Sequence, residues 1–67
     1  HRIVGCIQAA KSLEDEDTRK REIDSLIFAM DQFGVKEGFI VTENEKDTIK
    51  LNDKTIHVVR FEDWAMQ

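Results

Sequence analysis

The chain has no proline and no tyrosine, three glycines and one cysteine. Each shortage removes a class of explanation. The glycines, Gly5, Gly34 and Gly38, stand apart and cannot form a phosphate-cradling loop. Cys6 alone cannot close a disulfide within the chain, which suits a reducing, cytoplasmic setting. His1 and His57 lie far apart with no cysteine partner, so no zinc spacing exists and no metal site is expected. No apolar run approaches the ~18 residues that span a bilayer, and no membrane partner is expected.

What remains is short and charged. Sixty-seven residues allow one domain, 1–67, and a marginal one, because a chain this small buries only about 60% of its unfolded surface. It begins at His1 instead of Met, so it is expected to be part of a longer protein or trimmed from a tag. Ten basic and fourteen acidic residues give a net charge of −4, which speaks against nucleic acid as a partner. Arg19-Lys20-Arg21 is a local exception, but three consecutive helical residues fan out around the surface.

Period and punctuation predict the elements. Residues 3–10 read as a strand with two mostly apolar faces, expected to lie inside a covered, largely parallel sheet. "EDED" (Glu14 to Asp17) opens a helix with Ser12 or Asp15 as its cap. Ile23, Leu26, Ile27, Met30 and Phe33 form its apolar stripe, and Gly34 ends it. Phe39 to Val41 reads as a short strand buried on both faces, after which Thr42 to Lys46 leaves the sheet. Ile49 and Leu51, then Ile56, Val58 and Val59, read as a hairpin turning at Asn52-Asp53. "FEDWAMQ" is expected to form a helical turn that packs Phe61, Trp64 or Met66 on the sheet. The class is α/β: β-α-β-β(-α), a mixed sheet with a parallel, right-handed crossover and a hairpin.

Chemistry-bearing residues are few. Glu14 to Asp17 suit a helix start and lack the glycine-turned loop of a calcium site. His57 fits a half-buried hairpin position. Glu22, on the flank of the apolar stripe, is expected to make an ion pair with the sheet rim or the C-terminal segment. Phe28 falls about 140° round the helix from Ile23, on a polar face. It is either a solitary exposed aromatic or a docking point for a second copy or a missing region.

Taken together, "IQAAKSLEDEDTRKREI", "GFIVTENE" and "IKLNDKTIHVVRFEDW" resemble the C-terminal domain, of uncharacterised function, that follows the ATPase core of bacterial and archaeal AAA+ ATPases. That domain is similar to the PD-(D/E)xK nuclease fold, and the resemblance spans nearly all of the chain. Thr18, Arg21, Glu22, Thr42 and Trp64 match family positions, whereas Arg60 stands where the family commonly carries proline. The resemblance implies a truncated restriction-endonuclease-like core. ATP and magnesium would belong to the ATPase region upstream, which is the implied partner.

In active nucleases of this fold, an acid and a lysine at i and i+2 of one strand hold a metal and activate water. By resemblance Cys6 and Gln8 take those two places. A thiol is a poor ligand for magnesium, and an amide is neither base nor cation. The expected function is a degenerate, non-catalytic module acting in binding or assembly. The alternatives are part of a divergent metal-dependent nuclease whose other ligands lie upstream, or a small domain that dimerises through an open sheet edge.

Overall fold

The computed structural model describes residues 5–65. The elements run β1 (Cys6–Ala9), α1 (Glu16–Phe33), β2 (Glu37–Thr42), β3 (Asp47–Leu51), β4 (Lys54–Arg60) and α2 (Phe61–Ala65). They form a four-stranded mixed sheet in the order β1-β2-β4-β3. β1 and β4 both run parallel to β2, and β3 closes an antiparallel hairpin on β4. The architecture is α/β with a parallel βαβ unit, as expected.

Local chemistry sets the bounds of α1. Asp15 keeps an extended backbone and its carboxylate accepts the Thr18 N–H at 2.9 Å. That bond holds the Asp15 carboxyl below its usual range and satisfies one of the orphan donors of the first turn. Ser12 does not cap the helix; its hydroxyl instead accepts the Glu14 N–H at 3.1 Å. At the other end Gly34 takes φ 65°, where a side chain would be strained. Its N–H reaches the Asp31 carbonyl, and the Val35 N–H reaches Met30 at 3.0 Å, a Schellman closure. The turn folds Val35 into the core at 8% exposure, whereas Phe33 stays 58% exposed. The apolar period thus assigned Phe33 a place that the chain reversal gives to Val35.

One face of the sheet carries the core. Leu26 and Met30 of α1 pack with Ile40, Ile56 and Val58 of the central strands, and Leu13 and Val35 close the two ends. Gly38 permits the close approach: a Cβ there would sit 2.7 Å from the Met30 sulfur and 3.0 Å from Leu26. α1 contacts β1 and β2, and three ion pairs trim its borders. Arg19 meets Asp47, Lys20 meets Asp24, and Lys54 meets Asp31 at 2.8 Å. The Asp31 carboxylate raises the Lys54 ammonium above its ordinary value.

The opposite face is only partly covered. α2 lays Trp64 against Phe39 at a ring separation of 5.8 Å, and Phe39 stacks on His57 at 5.0 Å. Phe61 does not pack there; it is 62% exposed. Met66, like Ile3 and Val4, lies outside the described residues. The expectation that β1 is buried on both sides is also corrected. β1 is an edge strand, and Ile7 on its uncovered face is 55% exposed. The Cα envelope measures 29 × 28 × 16 Å.

The core face makes two predictions for denaturant unfolding. Leu26→Ala lowers stability by about 2–5 kcal/mol, whereas Phe28→Ala stays within about 0.5 kcal/mol of the parent. Gly38→Ala costs about 1–3 kcal/mol, because the added Cβ runs into Met30 and Leu26 where both side chains are fully buried.

Candidate functional site

The positions flagged on β1 are answered by α1. Cys6 and Gln8 share the core face of the strand; Cys6 packs against the core, and Gln8 is half-buried. The Gln8 amide donates to the Glu22 carbonyl at 3.0 Å and to the Glu22 carboxylate oxygen Oε1. Both acceptors belong to one residue in the second turn of α1, directly above the strand. Glu22 therefore reaches the sheet rim as expected, but through an amide and not an ion pair. The correction has a physical reason: β1 offers no cation on that face, and Gln8 has two N–H donors to give.

The donor set does not suit a hard divalent cation. The thiol of Cys6 is turned into the core, and the Gln8 amide presents its N–H side to Glu22. Magnesium takes carboxylate and water oxygens in octahedral geometry. Among the described residues, no three His, Cys, Asp or Glu side chains come together as a ligand set.

Beside this contact, where β1 and β2 end, a groove of about 550 Å³ opens between the start of α1 and the loop after β2. Open α/β sheets commonly take ligands at this end of their strands. Here Glu14, Asp15, Glu22, Glu43 and Glu45 line it, with Lys11 as its one cation. That balance repels phosphate.

Thr42 and Glu45 build the wall of the groove. Thr42, 2% exposed, donates its hydroxyl to the Glu45 carbonyl at 3.0 Å and accepts the Glu45 N–H at 3.0 Å. The Glu45 carboxylate then accepts the Leu13 N–H at 2.8 Å, tying the loop after β1 to the loop after β2. The sequence marks Thr42 as a strand exit and, by resemblance, as a family position, but it singles out neither Glu45 nor buried Leu13. Both act across more than thirty positions, where no local period reports.

The remaining flagged residues do not converge on one place. Thr18 lines the groove near the cap, and Trp64 sits on the far face of the sheet. Arg21 and Phe28 lie exposed on the outer side of α1, Phe28 at 67%. Arg60 ends β4 and pairs with Asp63 at 2.9 Å. His57 is half-buried as expected, 2.7 Å from Glu37 on the Trp64 face. Among the described residues, no helix is long and apolar enough to cross a membrane. Compared with known proteins, the chain matches no family model, no curated protein and no solved structure.

Substitutions at Gln8 separate its hydrogen bonds from charge. Gln8→Ala removes both donors and lowers stability by about 1–2 kcal/mol in chemical denaturation. Gln8→Glu sets a second carboxylate against Glu22, which raises the folded-state pKa of the new carboxyl above the ordinary ~4.3. The deficit is then smallest below that pH and grows as pH climbs through the raised value. Thermal melts across that range check the sign.

Proposed function

We propose that this chain is a non-catalytic, nuclease-like module that follows the ATPase core of a cytoplasmic AAA+ protein and serves in binding or assembly. The observation that carries the non-catalytic part is the double donation from Gln8 to Glu22. A side chain spent on holding a helix to a strand is not available to activate water. Packing of Cys6 against the core supports the same reading. The acid-lined groove does so too, because it disfavours a phosphodiester substrate. The ATPase part rests on the sequence resemblance alone.

A second reading, a divergent metal-dependent nuclease with further ligands upstream, draws on one observation. The Glu22 carboxylate stands beside Gln8 at the mouth of the groove.

Two experiments decide between them. Incubated with single- and double-stranded DNA and RNA in magnesium or manganese, the chain leaves every substrate intact. The same holds for the protein extended to include its upstream region. Cleavage that disappears in Gln8→Ala overturns the proposal. In a magnesium titration followed by NMR, the Gln8 side-chain amide signals stay in place, whereas shifts centred on Gln8 and Glu22 favour the nuclease. The ATPase part is tested by the residues encoded ahead of His1: a P-loop sequence is expected there, and its absence removes that part.

A further inference from the structure

The two edges of the sheet are defended differently. β3 presents Asp47, Thr48 and Lys50 to solvent, the charged and polar guard typical of an edge that must stay unpaired. β1, Cys6–Ala9, carries no charge at all. The Ala10 N–H bonds the Val41 carbonyl at 3.0 Å. Alternate residues of a parallel strand face the same neighbour, so Gln8 turns its backbone toward β2 as Ala10 does. Ile7 and Ala9 therefore turn their N–H and C=O groups outward, and the described part of β1 has no strand on that side.

We propose that two copies of this chain pair through β1, antiparallel about a twofold axis at Gln8, so that the sheet continues and the two α1 helices lie side by side. The inference gives the assembly role its surface and its partner, and it rests on that reading.

Geometry favours a second copy over an unrelated strand. In this register Ile7 of each copy exchanges both backbone hydrogen bonds with Ala9 of the other, which uses every outward group of the two residues. α1 lies above β1 and β2, and neighbouring strands are about 4.8 Å apart. The twofold therefore sets the two helix axes about 10 Å apart, within helix-packing range. The flank that meets the second helix is the one turned away from Asp31 and its partner Lys54. Along it run Thr18, Ser25, Ala29 and Gln32, small or uncharged and spaced as one stripe.

Charge complementarity supports the same axis. Gln8 holds Glu22 directly above the twofold and occupies only its Oε1, leaving Oε2 open. Arg21, exposed and next in sequence, enters none of the ion pairs among the described residues. In the pair the two Glu22 carboxylates meet at the axis, and Arg21 of each copy, one step round the helix on its outer side, reaches over to offset the Glu22 of the other. An unrelated strand added to the edge would leave both Arg21 and the helix flank unmatched.

Sedimentation velocity of the chain from low to high micromolar concentration tests the pairing, with circular dichroism confirming that each variant folds. A dimer is expected. Ala9→Pro removes an outward N–H without touching the β1–β2 ladder, and it weakens the dimer by at least about tenfold. Arg21→Glu weakens it by about tenfold as well, whereas the charge-conserving control Arg21→Lys leaves it intact. A chain that stays monomeric throughout overturns the proposal and leaves the edge to a strand from elsewhere. A dimer indifferent to both Ala9→Pro and Arg21→Glu overturns it too, by placing the contact on another face. Neither result touches the non-catalytic reading, which fails only if the chain cleaves nucleic acid.

Discussion

The packing of α1 on a single face of the sheet is the contact on which the rest depends. Leu26 and Met30 are almost fully withdrawn from solvent, and they reach that depth because Gly38 offers no side chain beneath them. Ile40 and Ile56, on adjacent parallel strands, supply the other half of the contact at full burial. A domain of this size has one such core and no disulfide to reinforce it. The strands are arranged around keeping that face shut, while α2 packs Trp64 on the other face.

The Gln8–Glu22 contact belongs to the same design. It lies at the rim of the core, where α1 passes over the edge strand, and it gives the half-buried amide two acceptors. On the opposite rim, ion pairs from Arg19 to Asp47 and from Lys54 to Asp31 hold the other side of the helix. One flank is thus tied by charges and the other by an amide. The charge-poor flank is also the one beside the unguarded strand, which is why that side of the molecule carries the pairing proposal.

The groove illustrates how loops share work in a small domain. Thr42 clamps the turn that follows β2, and Glu45 passes that order on to Leu13 after β1. Within the acidic lining, Asp15 and Glu45 are held by backbone N–H groups and not by partner cations. Glu14, Asp15 and Glu43 remain exposed, where water screens their mutual repulsion.

Much of this was written locally. The spacing from Ile23 to Met30, the acids before Thr18 and the glycine at 34 determined where α1 starts, stops and turns its apolar side. Asn52 and Asp53, with apolar residues alternating on either side, determined the hairpin, and Asn52 takes the positive φ of 26° that such a turn asks for. Tertiary structure decided what no single element could report. It put β1 at an edge instead of the interior, exchanged Phe33 for Val35 in the core, and bonded Gln8 to Glu22 fourteen residues away. The reason is that periodicity records how much of an element is apolar and on which side. Whether a neighbour covers that side depends on segments distant in the chain, and only their joint packing settles it.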